Sequence, residues 1–334
     1  MKIGVLGAGS WGSAIGNLLA VTGHDVHMYT RNEEQYRRMV DVHDNPRYLK
    51  DFTFHDSVSF HTSIEETIED AGAIILAVPT AGVRDMMEAI SKSEADGVVI
   101  NLAKGLEQGS HLRASQIAKD IIPGSRFVAL SGPSHAEEVA KLMPTTVVVC
   151  SEDRDDALWA QDLFTHDSFR VYVQDDMVGV EIGGALKNII ALGAGLSDGL
   201  GYGDNAKAAL MTRGLTEIQR LGIALGAKPV TFQGLSGIGD LIVTCTSVHS
   251  RNWQFGNRIG RGMRTDEAME DIGMVVEGYK TTKAAYELAK DLEIEMPITE
   301  KLYGVLYEGL NPRRAVLDLM QRPNKHENEK IFLL

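Results

Sequence analysis

The segment "GVLGAGSWGSA", residues 4–14, constrains the fold more than any other part of the chain. It sets Gly7, Gly9 and Gly12 in the spacing G-x-G-x-x-G. The strand-like "KIGVLG" leads in and the helix-like "SWGSAIGNLLAVTG" leads out, ending at Gly23. A lone match to this spacing is weak. The strand before and the helix after are the context that gives it meaning. Gly7 permits a tight turn, Gly9 lets backbone approach a pyrophosphate, and Gly12 lets the helix pack close to the strand. The amides that open the helix then receive the phosphates. The ordinary alternative is a glycine-rich turn in another α/β fold.

The alternation continues after this loop. "DVHMYT" reads as a second strand and "NEEQYRRMVDV" as a second helix. Strand-like runs follow at 73–79, 97–103, 127–132, 145–150 and 169–174, with helix-like segments such as "SIEETIED" and "RDDALWAQDLF" between them. Short apolar strands alternating with helices predict a mostly parallel sheet covered on both faces. After about residue 177 the rhythm changes. "MVGVEIGGALKNIIALGAGL" is too long and continuous for a strand. "GDNAKAALMTRGLTEIQRLGIALGA" reads as a helix capped by Asp204 or Asn205, and three more helices follow. The last has Asn311 as N-cap and Pro312 at its first position. No strand is expected after residue 180. The expected fold is an α/β Rossmann-type N-terminal domain over 1–178, then an all-α C-terminal domain over 179–334. The polar "PNKHENEK" reads as a loose terminus.

Composition limits the partners. The 334 residues suit two domains, and 44% hydrophobic with 24% charged content supports a large core. Lys and Arg total 33 against 46 Asp and Glu, a formal net charge of −13. That argues against nucleic acid or an anionic membrane as a general partner. An anionic ligand must be held by a few local cations or backbone donors. Cys150 and Cys245 make no disulfide framework and match no zinc spacing, so no metal site is expected. The chain opens directly into a strand pattern, and no apolar run is expected to approach ~18 residues. A cytoplasmic protein without membrane insertion is the expectation.

The second strand bears on the choice of cofactor. An acid about 20 residues past the loop binds the ribose diol of NAD. Here the strand ends "MYTRN", with no acid before Glu33, and Arg31 stands where it can pair with a 2′-phosphate. The sequence favours NADP over NAD, with dual use open. The alternative is a solvated surface arginine.

Ligands of open parallel sheets bind beyond the carboxyl ends of the strands. Lys104 follows "GVVINLA", Thr80 follows "AIILAVP", and Pro133, Ser134 and His135 follow "FVALSG". Lys104 is the one cation among them, placed to meet substrate oxygen, phosphate or cofactor. Its alternative is an exposed loop lysine. His135 invites reading as a general base. Ser134 with Glu137 three residues on equally makes a helix-capping box. Backbone contact from this turn is the favoured reading, with His135 ranked below Lys187.

Lys187 sits in "EIGGALKNIIALGAGL", apolar from Ile182 to Leu196 apart from Lys187 and Asn188. On a helix, Gly183 and Gly184 lie one turn before the lysine and Ala191 one turn after. Each glycine costs about 1 kcal/mol of helix stability against alanine. The pair therefore implies clearance for a backbone or a ligand. Oxidising a secondary alcohol with a nicotinamide needs a base for the hydroxyl proton, and desolvation tunes a lysine toward that task. Asn188 is placed to orient lysine or substrate. The alternatives are a lysine that snorkels to the surface or pairs with Glu181. A second polar cluster, "GLSGIGDLIVTCTSVHSRN", offers Asp240 as a partner for the ammonium or a substrate hydroxyl. It also carries Thr244, Ser250, and Arg251 with Asn252 as an anion-binding pair.

The loop from Gly7 to Gly12 with Trp11, "AKG" at Lys104, "SGPSHAEEV", "GGALKNIIALGAG", "GIGDLIVTC", "SRN" and "VVEG" (275–278) occur in order over nearly the whole chain. Together they resemble the bacterial NAD(P)-dependent glycerol-3-phosphate dehydrogenases. The resemblance implies reversible reduction of dihydroxyacetone phosphate to sn-glycerol 3-phosphate, feeding phospholipid synthesis, by a cytoplasmic homodimer. It implies Lys187 as the proton acceptor in oxidation. It places Lys104, Gly132, Ser134, Asp240, Ser250, Arg251 and Asn252 on the substrate. It places Ser10, Trp11, Arg31, Lys104, Ala136, Arg251, Val275 and Glu277 on the cofactor. Other lysine-in-helix dehydrogenases, acting on a β-hydroxy acid or ketopantoate, and a nicotinamide-sensing regulator without turnover are the competing readings.

Overall fold

Strands whose residues are apolar throughout require cover on both faces, and they lie inside one eight-stranded sheet. The computed structural model describes residues 1–324, 326 and 327. The loose terminus expected at "PNKHENEK" rests partly on residues 325 and 328–330, outside the described residues. The strands are β1 (Lys2–Leu6), β2 (Asp25–Tyr29), β3 (Asp44–Asn45), β4 (Leu49–Thr53), β5 (Val58–His61), β6 (Ala73–Leu76), β7 (Val98–Asn101), β8 (Phe127–Ser131), β9 (Thr145–Cys150) and β10 (Phe169–Gln174). The large sheet runs β10-β9-β8-β7-β6-β1-β2-β5. Pairing is parallel from β5 through β8, for example Ile3 opposite Val26 and Ala73. Strand β9 runs antiparallel to β8, and β10 runs parallel to β9. Every residue of β6, β7 and β8 is buried. The sequence reading missed β5 and the small β3–β4 pair, whose mixed polarity carries no two-sided apolar signal.

The helices between these strands are α1 (Ser10–Val21), α2 (Glu33–Val42), α3 (Ile64–Ile68), α4 (Val83–Ser91), α5 (Ala114–Ile121), α6 (Ala136–Val139) and α7 (Arg154–Phe164). Asn32, Ser63 and Asp153 cap α2, α3 and α7 by accepting first-turn amides.

The chain divides into two compact units. The first comprises 1–104 and 112–177, the second 105–111 and 178–334. The division at 178 read from the sequence therefore needs a correction: Gly105–His111 belongs to the helical unit. Leu106 is buried in that unit's core, the Gln108 amide donates to the Lys280 carbonyl at 2.9 Å, and His111 Nε2 lies 3.1 Å from Glu287 Oε2.

The helical unit contains α8 (Met177–Gly199), α9 (Asp204–Ala224), α10 (Asp240–Thr246), α11 (Arg251–Gly260), α12 (Thr265–Ile272), α13 (Glu277–Asp291), α14 (Pro297–Tyr307) and α15 (Pro312–Met320). A 3₁₀ turn, Pro229–Gln233, and a π-helical turn, Leu235–Gly239, precede α10. Among the described residues no strand follows Gln174. Helix α8 holds an apolar window of mean hydropathy 1.4, long enough to cross a membrane, but 89% of that window is buried inside the protein. It is the core helix, with Ile182, Leu186, Ile189 and Leu192 all fully buried. The expectation that no apolar run approaches that length is therefore corrected: the window spans Lys187, which does not break its apolar character. Asn311 caps α15, with Pro312 at its first position. The caps expected at Asp204 or Asn205 do not form. Gly203 is the N-cap of α9, without a side-chain bond, and Asp204 meets the helix dipole from the first turn. The buried Glu217 carboxylate caps α14, accepting the Ile298 amide at 2.6 Å and the Thr299 amide at 3.2 Å. Burial pushes its carboxyl up to about 7 against those bonds.

Candidate active site

The glycine loop has the geometry its spacing implies. Gly7 adopts φ +119°, and a Cβ there would lie 2.7 Å from the Ala77 carbonyl. A Cβ on Gly12 would lie 2.0 Å from the Gly7 carbonyl. A Cβ on Gly9 would meet nothing within 4 Å, and Gly9 is the N-cap of α1, where no side chain caps the helix. The one loop glycine facing open space thus sits at an uncapped helix N-terminus, the cradle a pyrophosphate needs. The residues present fit a dinucleotide. Trp11 is half-buried against the sheet core, and the Ser10 hydroxyl donates to the Tyr48 carbonyl at 2.9 Å. Gln35 and buried Asn45 both donate to the Ala8 carbonyl, at 2.6 and 2.9 Å, and Asn45 also donates to the Ser13 hydroxyl. These two amides clamp the loop, and sequence reasoning missed them. Arg31 is exposed just past β2, between buried Thr30 and the α2 cap Asn32.

A second group gathers beyond β7 and β8. The Lys104 ammonium donates to the Gly132 carbonyl at 2.9 Å, and the Ser134 hydroxyl donates to the same oxygen at 2.9 Å. Gly132 has φ +129°, a backbone that favours glycine. The capping box read at Ser134 and Glu137 is absent: His135 is the N-cap of α6, no side chain caps it, and the serine has turned back to Gly132. Ala136 is buried at the first position of α6.

The third group centres on α8. Lys187 is 6% exposed and Asp240 1% exposed, a buried ion pair with Nζ 2.5 Å from Oδ1. Lys187 also donates to the Thr244 hydroxyl at 2.7 Å, which in turn donates to the Asp240 backbone carbonyl at 2.6 Å. Asp240, weighed from the sequence as a partner for the ammonium, is bonded to it. The glycine clearance is taken by backbone: a Cβ on Gly183 would lie 2.6 Å from the Ser236 carbonyl, in the π-helical turn that leads into Asp240. A Cβ on Gly237 would lie 2.1 Å from the Phe232 carbonyl, so that turn is itself packed backbone to backbone. Burial pushes the neighbouring Cys245 thiol up to about 12, which favours its protonated form.

Ser250 caps α11, accepting the Trp253 amide. Arg251 is exposed and donates to the Val275 carbonyl at 3.1 Å. Asn252 is buried, donates to the Asn188 side chain at 2.9 Å and accepts the Gly278 amide at 2.8 Å. Ser250, Arg251 and Asn252 are thereby tied to α8 beside Lys187 and to the chain around Glu277. Asp240, Thr244, Asn188 and Asn252 fall within one polar group of the helical unit. Lys104, Gly132 and Ser134 form another within the sheet unit. Among the described residues no cluster of three or more His, Cys, Asp or Glu is arranged to hold a metal.

Comparison with known proteins places the chain. Residues 2–157 match the model of the NAD-dependent glycerol-3-phosphate dehydrogenase N-terminus, and 176–317 that of its C-terminus. The glycerol-3-phosphate dehydrogenase [NAD(P)+] of Shouchella clausii is 52% identical over 99% of both chains. That of Enterococcus faecalis is 50% identical over 98% of both. The chain belongs to the NAD-dependent glycerol-3-phosphate dehydrogenase family. The crystal structure of glycerol-3-phosphate dehydrogenase from Coxiella burnetii superposes with a TM-score of 0.93 at 36% identity, covering 96% of this chain and 99% of that one. Family membership sets aside the β-hydroxyacid and ketopantoate readings.

Proposed function

We propose that this protein reduces dihydroxyacetone phosphate to sn-glycerol 3-phosphate, reversibly, with NADPH or NADH, and so supplies glycerophospholipid synthesis. The observation that carries the reading is the buried Lys187–Asp240 pair, adjacent along α8 to the Asn188–Asn252 link. A buried lysine matched to a carboxylate is a rare and costly arrangement, and proton transfer gives it a use.

The cofactor, when bound, supplies the hydride that the substrate C2 takes up. Gly7, Gly9, Ser10, Trp11 and Gly12 hold its pyrophosphate. Arg31 pairs with a 2′-phosphate, which favours NADP, and Ala136, Val275 and Glu277 contact the cofactor further along. In reduction, the Lys187 ammonium gives its proton to the oxygen on C2. In oxidation, the neutral amine takes the hydroxyl proton. Asp240 steadies the ammonium between turnovers, while Thr244 fixes the direction of the amine. Arg251 and Asn252, with Ser250 at the helix start, bind the substrate phosphate, and Lys104, Gly132 and Ser134 complete the contacts. Phosphate binding remote from C2 contributes positioning energy at the reacting carbon. The working form is a cytoplasmic homodimer. The test is NADPH oxidation followed by the absorbance of the reduced nicotinamide, with dihydroxyacetone phosphate, ketopantoate and β-keto acids compared. Turnover of the first substrate is expected, and its absence ends the proposal.

A further inference from the structure

Helix α8 carries Lys187, and α11 carries Arg251 and Asn252 in its first turn. Their packing is closer than side chains allow. A Cβ on Gly195 would lie 1.9 Å from the Trp253 carbonyl, and one on Gly199 2.3 Å from the Asn257 carbonyl. From the other side, a Cβ on Gly256 would lie 2.0 Å from the Leu192 carbonyl, and one on Gly260 2.4 Å from the Leu196 carbonyl. Two glycines four apart on each helix let the backbones touch. Such a contact fixes the separation of the helices, while Leu192 and Leu196 of α8 and Phe255 and Ile259 of α11 share one buried core.

Polar ties add to that contact; Asn257 donates to the Gly195 carbonyl at 3.4 Å, and two side-chain bonds flank it. One is the Asn188–Asn252 bond beside Lys187. The other lies three turns along α8, where Asp198 follows Lys187 by eleven residues and therefore shares its face, about 16 Å away along the axis. The Asp198 carboxylate accepts the Trp253 indole N–H at 2.7 Å and pairs with Lys207 at 2.7 Å, so it joins α8, α9 and α11. The Asp198 and Lys207 side chains are only 17% and 21% exposed, which protects both bonds from competition by water. Trp253 directly follows Asn252, so whatever sets the indole also sets the turn that carries Arg251 and Asn252.

We infer that Asp198 is a positioning residue for the substrate-phosphate site, acting through Trp253 to hold the first turn of α11 in register with Lys187. The inference rests on the proposed role of Arg251 and Asn252 in phosphate binding. Charge-assisted bonds of this kind are the stronger class, so their loss reads as a change of roughly tenfold in binding.

The experiment compares Asp198→Ala, Asp198→Asn, Trp253→Phe and the Asp198→Ala/Trp253→Phe double variant with Arg251→Ala as reference. KM for dihydroxyacetone phosphate, KM for NADPH, kcat and tryptophan emission are measured for each. Asp198→Ala and Trp253→Phe should each raise the KM for dihydroxyacetone phosphate roughly tenfold, with kcat within about twofold and any change in the KM for NADPH in the direction of that in Arg251→Ala. The double variant should be no worse than the single ones, because one bond is removed twice. Asp198→Asn, which keeps an acceptor for the indole, should restore most of the KM. Emission should change on Asp198→Ala and not change further in the Trp253→Phe background. Additive effects, or an emission change with an unaltered KM while Arg251→Ala raises it, overturn the positioning role alone. An unaltered KM in Arg251→Ala overturns the phosphate site itself and the inference with it.

Discussion

Lys187 and Asp240 stand 53 positions apart in the chain, and their side chains meet at 2.5 Å with both groups buried. Separating such a pair leaves one uncompensated charge in a dry site, which is far worse than never having built it. Lys187→Ala should lower kcat about 10²–10⁴-fold while NADPH still binds, as read by nucleotide fluorescence. A near-normal kcat would refute its proton-transfer role. In Asp240→Asn the ammonium loses the charge that favours it and surrenders its proton at lower pH. The alkaline limb of the reduction rate should therefore move to lower pH, and an unmoved limb would detach Asp240 from the proton.

Gly9 and Gly12 should respond oppositely to the same methyl group. At Gly9 the added Cβ meets open space and the backbone, at φ −79°, suits alanine. Gly9→Ala should leave the melting temperature of the free protein unchanged or slightly raised, yet weaken NADPH binding at least tenfold by ~1.4 kcal/mol. Gly12→Ala drives its Cβ into the Gly7 carbonyl and should destabilise the protein with no cofactor present. Thermal melts with and without nucleotide distinguish the two, and equal loss of stability in both would contradict the open cradle at Gly9.

Arg31 is the exposed cation at the end of β2. Arg31→Ala should raise the KM for NADPH and spare that for NADH, narrowing the ratio of kcat/KM values by roughly tenfold. If the preference for NADPH survives unchanged, the 2′-phosphate is recognised elsewhere.

Glu217 links stability to pH. Its carboxyl is raised from 4.5 to about 7 by burial, so between those values the native state keeps a proton that the unfolded chain has released. The unfolded state binds fewer protons there, and stability falls as pH rises through this window and levels off above it. The full loss is on the order of 3 kcal/mol. Urea melts of wild type and Glu217→Gln at pH 5, 6, 7 and 8 (about one unit apart) should differ in slope across the window. Parallel pH dependence would show that the carboxyl titrates normally.

What was legible in the sequence was local. The glycine loop and the buried lysine announce themselves within a dozen residues, because each violates what an ordinary strand turn or apolar helix prefers. Asp240 was legible as a candidate, but its partner was settled only when the π-helical turn packed against Gly183. The Ser134 capping box failed because the serine hydroxyl had a competing acceptor, the Gly132 carbonyl, that local pattern does not weigh. Gln35 and Asn45 were invisible because their target, the Ala8 carbonyl, lies 27 and 37 positions away. Nothing in residues 105–111 says which core Leu106 joins, for a single leucine fits either.

That short excursion has a practical consequence for anyone dividing the gene. A clone that starts at residue 178 omits Leu106, and with it a buried side chain worth about 1.5–3 kcal/mol, together with the partners of Lys280 and Glu287. A clone that stops at 177 leaves the same leucine without its pocket. Each half would lack one side of the contacts that Leu106, Gln108 and His111 make in the helical unit. Co-expressed halves would have to reassemble by threading seven residues of one polypeptide into the other, as in fragment complementation, and would recover as a pair or fail as a pair.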